Sequence, residues 1–301
     1  MPELQTVFAG CTGRPLLLDE PMRRHTSFRI GGPADVMALP QNEEELSLLL
    51  ERAKAYGVPV TVIGNGSNLL VLDKGIRGLV IKLGGMLAGF RQEGTALTFA
   101  SGCPLAFAAH KAAELSLSGL EFASGIPGTI GGAVYMNAGA YGGEMAQIVE
   151  AVRVMDPGGR LLTLAGDDLR FGYRSTALKG SDYIVLSVRV RLTGGDRKLI
   201  EAKMDELNGR RVAKQPLEYP SAGSTFKRPP GNFAGTLIEK AGLKGFTVGG
   251  AQVSAKHAGF IINTGGATAS DVLALIRTVQ AKVMAASGVS LEPEVLILGE
   301  E

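Results

Sequence analysis

An α+β fold, with helices and strands intermixed rather than alternating, is what this chain of 301 residues predicts. Three observations carry that expectation. Helix-period and strand-period segments follow one another without the strict βα order of a doubly wound parallel sheet. The stretch 119–144, GLEFASGIPGTIGGAVYMNAGAYGGE, holds eight glycines yet stays apolar between them, which marks ordered and tightly packed backbone rather than a linker. The turn signal Thr193-Gly-Gly-Asp196 is the best domain boundary in the chain.

In order along the chain, a polar start over residues 1–22 reads as an N-terminal extension. Ser27-Phe-Arg-Ile-Gly-Gly-Pro then leads into a strand at 34–39. The next segment predicts a helix through about Tyr56. Asn42 is its N-cap, Glu43, Glu44 and Glu45 complement the positive end of its dipole, and Gly57 stops it. Leu46, Leu49, Leu50 and Ala53 supply the apolar stripe. A strand at 58–63 runs straight into Gly64-Asn-Gly-Ser-Asn-Leu-Leu. Strands near 79–83 and 96–100 and a helix near 105–117 come before the glycine-rich stretch. Beyond it, strands are expected at 149–155, 161–164 and 183–192, with a turn at Asp156-Pro-Gly-Gly. After the boundary come an amphipathic helix at 199–212, a Pro/Ser/Gly-rich loop at 215–231 and a short helix near 234–241. Short β pieces fill 245–262. A long helix starts near Ser270, with Val272, Ile276, Val279 and Val283 on one face. An apolar strand at 291–298 closes the chain.

Apolar residues make up 45% and charged ones 20%, a globular composition. The net charge of +2 is interspersed, with no basic block beyond pairs such as Arg23-Arg24 and Arg210-Arg211, so a nucleic-acid surface is not expected. No apolar run approaches the roughly 20 residues that span a bilayer. Ala9-Gly10-Cys11 lacks the basic and apolar segments of an export signal. Two cysteines and three histidines without ligand spacing argue against a disulfide framework or a metal site and for the cytoplasm. No obligate protein partner is indicated.

Several clusters can carry chemistry. The loop at 64–70 follows a strand, but it lacks the third glycine of G-x-G-x-x-G and opens no helix, so a Rossmann site is disfavoured, as is a P-loop. Either it is a hairpin turn, or its N–H groups face a phosphate. The glycine-rich stretch leaves the same pair of options: packing turns, or bare backbone against a ligand. Two such loops in one domain suit a dinucleotide, whose pyrophosphate they can clamp from both sides. In Phe171-Gly-Tyr-Arg-Ser-Thr, Arg174 can hold a carboxylate or simply stack on Tyr173. In Pro220-Ser-Ala-Gly-Ser-Thr-Phe-Lys-Arg-Pro, Ser224 sits outside any G-x-S-x-G elbow, which leaves proton donation or a plain turn serine. In Leu291-Glu-Pro-Glu-Val, period-two alternation puts Glu292 and Glu294 on one face of a strand otherwise ready for burial.

Taken in order, HTSFRIGGPAD (25–35), VIGNGSNLLV (62–71), the stretch 119–144, FGYRST (171–176), PSAGSTFKRP (220–229), FAGTLIEKAGLKG (233–245) and LEPEV (291–295) closely resemble the UDP-N-acetylenolpyruvoylglucosamine reductase family. The resemblance covers nearly the whole chain, and its specificity lies in the ordered co-occurrence of the motifs. It implies an α+β architecture with a two-part FAD-binding region of the vanillyl-alcohol-oxidase type at 23–194. A C-terminal α+β substrate-binding domain would follow at 195–301, its last strand returning to the active site. It implies non-covalent FAD, NADPH as co-substrate and a UDP-sugar enolpyruvate as substrate. Hydride would reach the vinyl terminal carbon, and a proton the adjacent carbon, giving UDP-N-acetylmuramate for peptidoglycan synthesis.

By the same resemblance Ser224 matches the proton donor, Arg174 the stabiliser of the developing enolate, and Glu294 its acidic partner. FAD contacts fall on Gly64, Asn65, Gly66, Ser67, Asn68 and Leu69, and on Gly125, Ile126, Gly128, Thr129, Gly131, Gly132 and Ala133. Substrate contacts fall on Asn137, Tyr141, Arg211, Lys227 and Arg228. Arg228 stands where many members have Asn, and Leu296 where Arg is common. Tyr219 alone in the short last domain places the chain with the branch lacking a tyrosine-bearing loop. The rivals are another FAD-dependent oxidoreductase of the same wider fold and a non-catalytic flavin- or nucleotide-binding module. Retention of Arg174, Ser224 and Glu294 together speaks against the module.

Overall fold

The computed structural model describes residues 3–84 and 89–301; the first two residues of the expected extension, and 85–88 of the expected FAD-binding region, lie outside the described residues. The chain forms two compact units. The first takes the residues up to Leu18, Val36–Asn65 and Gly78–Arg211; the second takes Asp19–Asp35, Gly66–Arg77 and Val212–Glu301. Each is assembled from separated stretches, whereas the sequence suggested a single cut at 194.

In the first unit, helix α1 (Leu4–Phe8) buries Val7 and Phe8 in an apolar cluster with Leu46, Leu49 and Ala53 of α2 (Glu43–Tyr56). Helix α2 has the predicted ends. The Asn42 side chain accepts from Glu45 N at 2.8 Å, and Gly57 takes the left-handed conformation at φ 64°. Under this helix, Val60–Ile63 pairs in parallel with Ile76–Lys82. The strand before the 64–70 loop therefore has its partner beyond the loop, and that loop is no hairpin.

A five-stranded antiparallel sheet forms the rest of this unit, ordered Leu161–Ala165, Val149–Met155, Ile184–Arg191, Ala96–Ala100, Phe90–Glu93. Val188 faces Val152 on one side and Phe99 on the other, and all three are fully buried. Helices α3 (Leu105–Glu114) and α4 (Ile130–Tyr135) bury their apolar residues against the same core. Helix α4 lies inside the glycine-rich stretch, where no helix was expected. Helix α5 (Arg197–Lys214) adds Ile200 and Met204.

The second unit holds a four-stranded antiparallel sheet ordered Ser221–Ser224, Phe260–Asn263, Ala251–Val253, Thr247–Val248, with α6 (Ala234–Lys240) and α7 (Ala269–Ser287). Phe28 and Ile30 from its first stretch and Leu70 and Leu72 from its second share a core with Val272, Ile276, Val279 and Val283 of α7. Burying each such side chain contributes about 1.5–3 kcal/mol relative to exposure. That is why the α7 stripe and two distant pieces of chain fold as one body.

The closing strand is shorter than expected, Leu296–Leu298, and pairs in parallel with Leu69–Val71. Pro293 has no N–H to give to a ladder. The segment before Leu296 instead bonds piecemeal to 225–227, through Lys227 N to Glu292 O and Glu294 N to Thr225 O. Glu292 and Glu294 therefore do not share the face of a regular strand.

Helix α7 starts on a capping box between Thr268 and Asp271, and Asp73 reinforces it. The Asp73 carboxylate accepts from Ala269 N (2.8 Å), Ser270 N (2.9 Å) and Ser270 Oγ (2.6 Å). Burial alone would raise its pKa, but these three bonds outweigh that and hold it below its ordinary value. A depressed carboxylate stabilises the fold above its unfolded pKa, near 4, and the stabilisation disappears as pH falls through the folded value. Asp73→Ala should thus lower stability at neutral pH by about 1 kcal/mol, since the side chain is largely exposed. The deficit against wild type should shrink in urea titrations below about pH 4. A deficit that persists unchanged into acid would rule out the carboxylate as its source.

Candidate active site

The two glycine loops meet in the first unit. A Cβ on Gly64 would lie 2.6 Å from Thr129 Oγ1, so only glycine lets the backbone after Val60–Ile63 approach the start of α4 this closely. Thr129 caps α4 by accepting from Gly132 N at 3.4 Å. The helix amides expected to face a phosphate are partly engaged already: Ile130 N donates to Cys103 O and Gly131 N to Ser101 O, each at 2.9 Å. Several glycines here are packing residues. A Cβ on Gly131 would meet Ser101 Cβ at 2.9 Å, one on Gly143 the Phe122 ring at 2.5 Å, and one on Gly125 the Asn208 amide oxygen. Gly128 takes φ 122° and lends its carbonyl to Leu105 N at 3.0 Å.

Ser101, which the sequence did not flag, is 2% exposed, and its Oγ has no hydrogen-bond partner among the described residues. An orphaned buried hydroxyl beside the Gly131 turn is what a ligand with phosphate or ribityl oxygens would satisfy, so the loop residues fit the expected FAD. The first loop divides between the units, Gly64 and Asn65 in one and 66–69 in the other. In the second unit a Cβ on Gly66 (φ 62°) would clash with the His25 carbonyl, which accounts for that glycine.

Still in the first unit, the structure gathers Arg174, Asn137, Tyr141 and Arg211. Arg174 sits on a tight turn closed by Gly172 N to Ser175 O (2.9 Å) and Ser175 N to Gly172 O (3.2 Å). Its backbone is left-handed at φ 53°, a conformation that arginine rarely takes. The half-buried guanidinium makes long contacts with the carbonyls of Asn137 (3.5 Å) and Gly139 (3.4 Å) and lies 5.5 Å from the centre of the exposed Tyr173 ring. Asn137, expected as a substrate contact, lies on the same loop as Gly139 and Tyr141. It is 2% exposed, and both ends of its amide are engaged with protein backbone. Tyr141 is exposed at φ 55° and lies close enough to Arg211 to act on its charge. Burial lowers the pKa of Arg211, and Tyr141 partly restores it. Arg211 also packs against Gly125, 3.2 Å from where its Cβ would be.

In the second unit, Ser224 is exposed at the end of Ser221–Ser224, after Gly223 at φ 77°. A register shift between Ser221 and Ser224 interrupts the pairing of this strand with Phe260–Asn263. Thr225, next in sequence, is fixed on every side. Its N donates to Gly259 O (2.9 Å), its Oγ1 accepts from Ile261 N (3.0 Å), and its carbonyl accepts from Glu294 N (2.8 Å). Asn68 holds Glu294 from the other side, donating Nδ2 to Glu294 O at 3.1 Å and accepting Leu296 N at 2.9 Å. The Asn68 side chain thus anchors the C-terminal segment. Lys227 pairs with Glu292, and Arg228 stacks 3.9 Å from the centre of the exposed Phe233 ring. His257 accepts Gly259 N on Nδ1 at 3.1 Å; burial lowers its pKa, which keeps the ring neutral at pH 7.

A family model described as the C-terminal domain of UDP-N-acetylenolpyruvoylglucosamine reductase matches residues 215–298, and one described as an FAD binding domain matches 34–165. The UDP-N-acetylenolpyruvoylglucosamine reductase of Caldanaerobacter subterraneus subsp. tengcongensis is 53% identical, over 95% of this chain and 94% of its own. That of Agathobacter rectalis is 56% identical over the same shares. The crystal structure of UDP-N-acetylenolpyruvylglucosamine reductase from Thermus caldophilus matches with a TM-score of 0.81 at 39% identity, covering 95% of this chain and 98% of that one.

Proposed function

We infer the chemistry from one premise: the chain belongs to the UDP-N-acetylenolpyruvoylglucosamine reductase family. It is an FAD-containing oxidoreductase of peptidoglycan precursor synthesis, reducing UDP-N-acetylglucosamine enolpyruvate to UDP-N-acetylmuramate with NADPH as co-substrate. Bound FAD supplies the two-electron link between nicotinamide and substrate. Gly64, Asn65, Ser101, Thr129 and Gly132 would hold it. Among the described residues no helix is long and apolar enough to cross a membrane. A cytoplasmic setting is part of the proposal, supported by two free, buried cysteines, with burial pushing the Cys103 thiol up to about 11.

Adding hydride to the terminal vinyl carbon converts C=C to a single bond and leaves the electron pair on the adjacent carbon, conjugated to the carboxylate. That charge must be stabilised and then protonated. Arg174 is the fixed cation for the carboxylate, its guanidinium carried on a turn closed by two backbone hydrogen bonds. Ser224 delivers the proton. A hydroxyl is a weak acid in water, so its donation is assisted by the polarised site, where Glu294 is assigned as the acidic partner of Arg174 at the developing enolate.

One observation supports these last two roles best: the residue following Ser224 is bonded directly to Glu294, whose two backbone groups are both held. Such over-determined backbone is what a proton donor and an acidic group acting on one substrate need to keep their geometry. Under anaerobic conditions the purified protein should be yellow, bleach with NADPH and regain its colour when the enolpyruvyl substrate is added. Colour that stays lost after that addition would overturn the assignment of substrate, and protein that binds no flavin would overturn the enzyme itself.

A further inference from the structure

Asn137 stands where two loops of the first unit cross, the one carrying Arg174 and the one that follows α4. Its Nδ2 donates to Gly172 O at 3.0 Å, and its Oδ1 accepts from Ala146 N at 2.9 Å. Gly172 O is thereby doubly engaged, since it also closes the Arg174 turn by accepting Ser175 N. The carbonyl of the same asparagine is one of the two that Arg174 meets.

Backbone strain is concentrated at this crossing. Asn137 (φ 41°), Tyr141 (φ 55°), Arg170 (φ 41°) and Arg174 (φ 53°) are all left-handed without being glycine. Asparagine tolerates that conformation; arginine and tyrosine adopt it only where their surroundings enforce it. The asparagine amide reaches both strained loops and ties each by a backbone hydrogen bond, beside the Thr176 hydroxyl, which donates to Tyr135 O at 3.1 Å. Its burial means that neither end is available to a ligand.

We propose that Asn137 is a positioning residue for Arg174: its amide locks the 172–175 turn onto the loop after α4, and its carbonyl helps aim the guanidinium. This rests on the role given to Arg174 above. Its consequence is selective. Transfer from NADPH builds no carboxylate-conjugated charge, so a mis-aimed guanidinium matters only when the enolpyruvyl substrate is reduced.

The test uses the flavin-loaded full chain carrying Asn137→Gly, which suits φ 41° and removes both side-chain bonds, and Asn137→Asp, which keeps only the acceptor for Ala146. Flavin content and bleaching by NADPH should stay within about twofold of wild type, while the return of colour with substrate slows about 10²-fold, the scale of a misplacement near 1 Å. Hydrogen exchange at Ala146 N and across 172–175 should quicken, independently of turnover. In an Arg174→Lys background, Asn137→Gly should add less than about twofold, because the two changes act on one device.

Wild-type colour return in Asn137→Gly would show that only the backbone conformation matters and would overturn the proposal. So would equal slowing of both half-reactions, additive losses in the double variant, or loss of flavin from both variants. If Arg174→Ala alone leaves colour return unchanged, it is the role of Arg174 that fails, and the hydrogen-exchange result then decides separately whether Asn137 braces the turn.

Discussion

Ser224→Ala is expected to leave bleaching by NADPH nearly untouched and to slow the return of colour with the enolpyruvyl substrate by about 10²–10⁴-fold, the usual contribution of a positioned acid. The separation follows from where the proton is needed. Accepting hydride from NADPH requires no proton on a substrate carbon; finishing the reduction of the vinyl group does. The substitution is also structurally mild. Ser224 is exposed, while its neighbours Ala222 and Thr225 are buried, and Thr225 keeps its bonds to Gly259, Ile261 and Glu294. Removing one exposed hydroxyl from such a frame should change stability by no more than about 0.5 kcal/mol. Stopped-flow absorbance on the two half-reactions gives the result directly. A loss shared equally by both would make Ser224 a scaffold residue.

What the sequence could foretell depended on how local the determining physics was. Helix α2 was legible to its ends because its cap, dipole partners, stripe and terminating glycine all lie within sixteen residues, 42–57. The α7 stripe was legible for the same reason. The glycine-rich stretch was not: whether Gly131, Gly143 or Gly125 serves packing or a ligand turns on Ser101, Phe122 and Asn208, which lie outside the run or reach it only through the tertiary fold. The C-terminal strand was over-extended because alternation says nothing about a missing partner. Its parallel neighbour, Leu69–Val71, lies more than two hundred residues earlier. For the same reason a linear boundary could not foresee that Phe28, Ile30, Leu70 and Leu72 would share a core with α7.

The candidate site divides along the same line. Arg174, Ser224 and Glu294 were picked out by motif resemblance, since each alone had a bland structural reading. Asn137 was picked out too, as a substrate contact; its burial and two backbone bonds support the proposal that it acts as a brace instead. Ser101 had no signal in the sequence at all. An unbonded hydroxyl becomes visible only when everything around it is folded.

Arg174→Ala should slow colour return about 10²–10³-fold, in line with losing one preorganised group that meets developing charge, and again spare bleaching by NADPH. The rate should fall at saturating substrate as well as in kcat/KM, because the charge exists in the transition state and only partly in the bound substrate. Arg174→Lys is the sharper variant. A guanidinium stays protonated at any accessible pH, whereas lysine titrates near 10.4 in the absence of other influences. The lysine variant should therefore lose rate as pH rises through the pKa of its ammonium. Lysine also lacks the planar fork whose two ends now meet the carbonyls of Asn137 and Gly139, so it should recover only part of the loss even when fully charged. A lysine variant at full rate below that pKa would mean that charge alone suffices and that the strained turn holding the guanidinium has another purpose. A pH-independent loss would mean that the fork geometry, not the charge, is what the reaction uses.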